Sequence, residues 1–209
     1  RGSQETIWNN MHDVFRRGVL RAERLGVRVS TGDKADLLKV YQMHLLLRKT
    51  KYRIFPQPYA FFEHIWRVYM EQNKGFLLCA HNPEGRLIAA TMYLICADTL
   101  YYKINTSAPE ASTYRPNNLL FWEGVKLAKA RGLQYVDMGS SGWEQDGLAL
   151  FKDRTGGKRR EIMHLGFAPA GYRFSKKRIL QLYTRFCTLP WMPDTVARYG
   201  ASLIYPFLA

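Results

Sequence analysis

Tyr135-Val136-Asp137-Met138-Gly139 is followed, twelve residues on, by Phe151-Lys152-Asp153-Arg154-Thr155-Gly156-Gly157. An acid and a glycine close a β-branched and aromatic run, and an aromatic–lysine pair precedes a glycine turn. Lys152 is suited to act as a fixed cation beside a developing oxyanion, an effect worth on the order of 3 kcal/mol per contact. It fits equally an ordinary exposed lysine on an amphipathic helix. Asp137 can orient a lysine or accept a proton, or it can cap the loop through an Asx-type hydrogen bond. Phe151 offers a face for stacking on a nucleobase, with core packing as the alternative. Gly139 suits a positive φ or close ligand approach, and Trp143 in the intervening loop is placed to gate a cleft.

A second group lies upstream. Arg115, Asn117 and Asn118 flank Pro116 at the expected start of a long helix, where free N–H groups favour anions. On the preceding run, strand alternation puts Tyr101 and Lys103 on one face and Tyr102 on the other. Tyr102 is expected in the core and Lys103 lining a cleft. Lys51 and Arg53 could contact a phosphate, with solvated charge as the alternative. The five histidines form no HxxxH or HExxH pair, and Cys79, Cys96 and Cys187 are too scattered for a zinc site or disulfide framework. No metal site is expected, and Cys79 and Cys96 read as small core residues.

These groups need a scaffold. Residues 4–26 carry an apolar stripe and end at Gly26, which reads as a helix. A short strand candidate follows at residues 27–29, then a helix bearing Leu37, Leu38, Tyr41, Leu45 and Leu46 at helical spacing. Residues 48–58 form a basic, aromatic loop, and a third helix is expected over residues 59–73. The texture then changes to apolar strands over 75–80 and 87–96, joined by an Asn82-Pro83-Glu84-Gly85 turn, and a third over 100–104. A helix opens near Pro116. Strand 134–138, a helix over 147–154 and strand 161–167 complete the pattern, before a tail broken at Pro190 and Pro193. The order predicts an α/β fold with a mixed, largely antiparallel sheet and helices on both faces.

With 31 Lys+Arg against 17 Asp+Glu, the net charge is +14. The excess concentrates in residues 152–178 and in the arginines of the first helical stretch (Arg16, Arg17, Arg21, Arg24) and Arg28. Such a field attracts polyanions or an anionic membrane surface. The composition, 47% hydrophobic and 23% charged, is globular. No apolar run approaches the roughly 20 residues of a membrane helix. The N-terminus has neither an apolar h-region nor an initiator Met, so no signal peptide is expected and the chain fits a piece of a longer protein.

The element order resembles that of GNAT-type acyltransferases, and particular residues resemble the second domain of FemAB-type proteins. They are Arg21-Ala22-Glu23-Arg24-Leu25-Gly26-Val27, Tyr101-Tyr102-Lys103, Arg115-Pro116-Asn117-Asn118-Leu119-Leu120-Phe121-Trp122-Glu123, Tyr135-Val136-Asp137-Met138-Gly139, and Gly147-Leu148 with Phe151-Lys152 and Gly156-Gly157. The resemblance implies a basic lead-in helix over residues 1–26, the end of a preceding GNAT-like domain, then a GNAT-like domain over 27–173 and a basic, aromatic helical tail over 174–209. It implies transfer of an aminoacyl group from aminoacyl-tRNA to an amine of an envelope precursor, with Lys152 handling the RNA-linked donor and no permanently bound cofactor. Acyl-CoA is the alternative donor. CoA-dependent relatives carry a glycine-rich loop where Arg115 stands, and here no glycine falls between Gly85 and Gly124. Pro116 also removes one N–H that would face a pyrophosphate. A cytoplasmic location is expected, with peripheral contact to the inner membrane face. An alternative of another class is a non-catalytic GNAT-like module that binds RNA or another anionic polymer.

Overall fold

The computed structural model describes residues 2–142, 145–163, 165, 183–189 and 191–204. Its five strands are β1 (Arg28–Thr31), β2 (Gly75–His81), β3 (Leu87–Cys96), β4 (Thr99–Ser107) and β5 (Tyr135–Asp137), and they lie in one sheet in chain order. The first four pair antiparallel, while β5 pairs parallel to β4. A parallel neighbour needs a crossover, which is the long helix between them. The helices include α1 (Gln4–Asn10), α2 (Asp13–Arg24), α3 (Asp36–Leu47), α4 (Tyr59–Ile65), α5 (Pro116–Ala130), α6 (Asp146–Asp153) and α7 (Asp194–Ile204).

β2 and β3 read as almost unbroken apolar runs because helices cover both faces of the sheet. On one face Phe15 and Val19 of α2 and Leu120 and Phe121 of α5 meet Phe76, Leu78, Tyr93 and Leu100. On the other, Leu37 and Tyr41 of α3 and Phe62 of α4 meet Leu77, Cys79, Met92 and Ile104. Each fully buried Leu or Phe contributes roughly 1.5–3 kcal/mol of hydrophobic stabilisation. Tyr93 is completely buried, and its hydroxyl donates to the Leu120 carbonyl at 3.0 Å, satisfying a polar group that burial would otherwise penalise.

One irregularity shapes the sheet's open side. Tyr93 pairs with Tyr102, but Met92 pairs with Ile104, so Lys103 is an extra residue in β4. This β-bulge reverses the strand's alternation. Leu100 and Tyr102 face α5, whereas Ile104 faces α3 and α4. The parallel ladder to β5 spans Thr99↔Tyr135 to Tyr101↔Asp137 and stops just before the bulge. From Tyr102 onward β4 runs without β5 beside it.

Several expected elements differ. The first helix is two, because the backbone is extended at Met11 and His12; the His12 imidazole then caps α2 by accepting from Val14 N–H at 3.2 Å. β1 continues to Thr31, two residues beyond the expected strand end. The basic loop begins as a π-helical turn, Arg48–Tyr52, and the third helix ends in another, Trp66–Met70. Leu38 and Leu46 are exposed, so the buried stripe of α3 is Leu37, Val40, Tyr41, His44 and Leu45. Cys96 is exposed, at the last position of β3. The expected strand over 161–167 is not formed in its described part. Ile162, Met163 and Leu165 are irregular and exposed, and the rest lies outside the described residues. The basic residues Arg173, Lys176, Lys177 and Arg178 also lie outside them. Among the described residues, no helix is long and apolar enough to cross a membrane.

Candidate functional site

α5 starts where β4 ends, and a cavity of about 260 Å³ opens between them. Its walls include Ser107 and Ala108 at the end of β4, Arg115, Asn117 and Asn118 at the start of α5, Lys51 and Phe151. Arg115 holds the N-cap position of α5 with φ 56°, a left-handed conformation uncommon outside glycine and costing about 1–3 kcal/mol. Its side chain, which has no acceptor, makes no cap hydrogen bond. Asn117 is oriented from the sheet: Asn105 Nδ2 donates to Asn117 Oδ1 at 3.2 Å and to Thr91 Oγ1 at 2.9 Å. The positive end of a 15-residue helix therefore faces the cavity.

A second cavity, about 340 Å³, shares Arg115, Asn118 and Phe151 with the first. Its other walls include Arg17, Gly18 and Arg21 of α2, with Gly147 and Arg154 of the α6 segment. α2 can approach this closely because position 18 carries no Cβ, which would sit 2.7 Å from Asn118 Nδ2. Asn118 Nδ2 instead donates to the Phe15 carbonyl at 3.4 Å. The His12 N–H donates to the Arg154 carbonyl at 3.0 Å, which fixes the end of α6 against the start of α2. Phe151 packs its ring 5.5 Å from that of Phe15 while still lining both cavities, so it combines core packing with an exposed ring face.

Lys152, one position further round α6, lines neither cavity. Its ammonium donates to the carbonyls of Gly139 (2.8 Å) and Ser140 (2.9 Å), tying down the loop after β5. Two of its three donors are engaged there. Partial burial draws its pKa below the usual lysine value, with the Asp137 carboxylate acting against that shift. Asp137 Oδ1 accepts from Gly139 N–H at 2.6 Å, the Asx-type cap, and Gly139 has φ 67° as its position required. Lys152, Asp137 and Gly139 thus form one cluster at the carboxyl edge of β5, adjoining the cavities through Phe151.

The remaining candidates stand apart. Lys103 is the bulge residue and Tyr101 lies on β4; both are exposed and line neither cavity. Trp143 lies outside the described residues. Lys51 lines the first cavity and Arg53 does not. Sequence reasoning misses Arg17, Arg21 and Arg154 as site residues; the i, i+4 spacing of Arg17 and Arg21 on an amphipathic helix is the signal that could have found two of them. Among the described residues, no cluster of His, Cys, Asp or Glu could hold a metal ion.

A family model described as an acetyltransferase (GNAT) domain matches residues 9–146. No curated protein matches the sequence. The fold is similar to that of FemX, with TM-score 0.68 and 14% identity over 74% of this chain; the chain spans 56% of FemX. It is similar also to the aminoglycoside 6′-N-acetyltransferase AAC(6′)-Ih of Acinetobacter baumannii (TM-score 0.54, 11% identity, 68% of this chain and 99% of the other). A GNAT-family acetyltransferase of Staphylococcus aureus Mu50 gives TM-score 0.53 and 10% identity over 61% of this chain and 82% of its own. At these identities the likeness is one of fold.

Proposed function

The chain belongs to the GNAT acetyltransferase family, and from that membership we propose that it transfers an aminoacyl group from aminoacyl-tRNA to an amine acceptor used in envelope-polymer assembly. The observation that carries this reading is the arginine-lined double cavity at the start of α5, reached by Phe151 and adjoining the Lys152 cluster. The FemAB-type order of motifs and the fold likeness to FemX support the RNA-linked donor. So does the start of α5: Pro116 lacks an N–H, and the Asn118 N–H is engaged with the Arg115 carbonyl at 3.2 Å, leaving few donors for a pyrophosphate.

In the proposed reaction the acceptor's neutral amine attacks the ester carbonyl carbon of the donor. A C–N bond forms, charge gathers on the carbonyl oxygen, and the C–O bond to the ribose breaks, releasing the RNA hydroxyl. The third donor of Lys152 meets the developing oxyanion, and its two bonds to the loop hold that ammonium in position. Asp137, half engaged by Gly139, takes the proton that the amine sheds and passes it to the departing ribose oxygen. Phe151 supplies a face for the terminal base, and the Arg115 guanidinium meets the adjoining phosphate.

The test supplies labelled aminoacyl-tRNA or labelled acyl-CoA to the chain with a panel of peptidyl amines and follows label into the amine. Transfer from aminoacyl-tRNA supports the proposal. Transfer only from acyl-CoA assigns the donor to the family's usual cofactor, and tRNA binding without any transfer assigns a binding module.

A further inference from the structure

Four arginines, from separate parts of the chain, line the second cavity. They are Arg17, Arg21, Arg115 and Arg154, and among the described residues no carboxylate lines the cavity, the nearest acid influence being that of Asp13 on Arg17. None of the four has an ion-pair or side-chain hydrogen-bond partner among the described residues. Elsewhere the chain pairs its cations readily: Arg16 with Asp13, Arg159 with Asp153, Lys126 with Glu123. The contrast is sharpest on α2, where Arg16 is paired while Arg17 and Arg21, one turn apart, face the cavity unpaired. Like charges gathered around one concavity repel each other, so the arrangement gains only when an anion enters. Guanidinium groups bind phosphate oxygens bidentately.

The supports around the cavity are built. The open Cβ position of Gly18 admits the Asn118 amide, and the His12–Arg154 backbone bond sets the distance between α2 and α6. The elements that carry the four arginines come from three separate stretches of chain, yet all reach one space of about 340 Å³, the size of a small ligand site.

We propose that Arg17, Arg21, Arg115 and Arg154 form a phosphate-binding site that takes the ribose-phosphate chain of the donor, next to the base seated at Phe151. The proposal rests on the RNA-linked donor reading and adds to it a second run of phosphate contacts made by the lead-in helix. An adenosine bisphosphate moiety would offer the same phosphate chemistry, so the experiment separates the two sources.

The probes are a fluorescent RNA hairpin with a single-stranded 3′ end, read by anisotropy across a salt series, and adenosine 3′,5′-bisphosphate as competitor. For the intact chain, RNA affinity should fall steeply with salt. The Arg17→Ala/Arg21→Ala and Arg154→Ala variants should weaken RNA binding about tenfold or more and flatten the salt slope by about one for each phosphate no longer neutralised. Arg24→Ala, on the same helix but away from the cavity, should match the parent. If the cavity variants bind RNA as the parent does, the site is overturned while the donor reading survives. If only the bisphosphate binds, and through these arginines, the phosphate site stands and the RNA donor fails. If neither probe binds, the site is overturned.

Discussion

The Lys152 ammonium lies 2.8 Å from the Gly139 carbonyl and 2.9 Å from that of Ser140, so one side chain of α6 holds the loop that leaves β5. Ammonium, loop and the Asp137 carboxylate make one electrostatic unit, with the carboxylate favouring the charged lysine that burial disfavours. Lys152→Ala should therefore lower the transfer rate at least about 100-fold while costing only about 1 kcal/mol of stability, because both hydrogen bonds are partly exposed. Single-turnover transfer and thermal unfolding of the same sample check this. A variant that transfers at the parental rate removes Lys152 from the chemistry.

His44 predicts how stability depends on pH. It is buried on α3 with Nε2 2.7 Å from Gln57 Oε1 and Arg48 close by. Burial, with Arg48 adding repulsion, draws its pKa from 6.5 down to about 4, against the hydrogen bond with Gln57. The unfolded chain takes up this proton near its ordinary value, the folded chain only near the depressed one. Stability from this group is thus full above pH 6.5 and is lost as pH falls towards about 4. The loss is on the order of 3 kcal/mol. Urea midpoints at about pH 7 and about pH 4.5 measure it, and His44→Gln should flatten the difference.

Gly18→Ala places a methyl 2.7 Å from Asn118 Nδ2. Overpacking of this kind costs about 1–3 kcal/mol, and here it also displaces a wall shared by both cavities. RNA affinity should fall together with the melting temperature. Gly147→Ala is the contrast: nothing lies within 4 Å of the new methyl, which sits in the first turn of α6, so stability should hold or rise slightly.

The buried Lys49 ammonium donates to Asp194 Oδ1 at 2.7 Å and to the Met192 carbonyl, anchoring the start of α7. Asp194→Ala leaves that charge without its counter-ion and should loosen α7, raising its amide exchange. Lys49→Met removes the charge itself and should be tolerated far better. Equal exchange in the two variants would contradict the anchoring role.

Much of the scaffold was legible from local patterning. The Asn82–Gly85 turn, the apolar runs on either side and Pro116 at the first turn of α5 are all signals carried by a few neighbouring residues, and each element formed close to its expected bounds. The bulge at Lys103 was not legible. It depends on how β4 registers against β3, and no residue type marks it, so strict alternation misplaced Lys103 as a cleft residue. Asp137 and Gly139 were readable in type, and their Asx cap followed from adjacency. The direction of Lys152 was not, because a one-position step around α6 sends Phe151 to the cavities and Lys152 to the loop. The arginine cavity depends on α2 packing against α5 and α6, elements far apart in the chain, and composition announces that meeting only as net charge.

Donor choice tests the account most directly. The chain is equilibrated with aminoacyl-tRNA and, separately, with acetyl-CoA at one moderate salt concentration, and bound donor is measured with and without Arg115→Ala. Saturable binding of aminoacyl-tRNA, weakened by Arg115→Ala, with no saturable acetyl-CoA binding, is the predicted result. Saturable acetyl-CoA binding that depends on Arg115, with no retention of aminoacyl-tRNA, would contradict it.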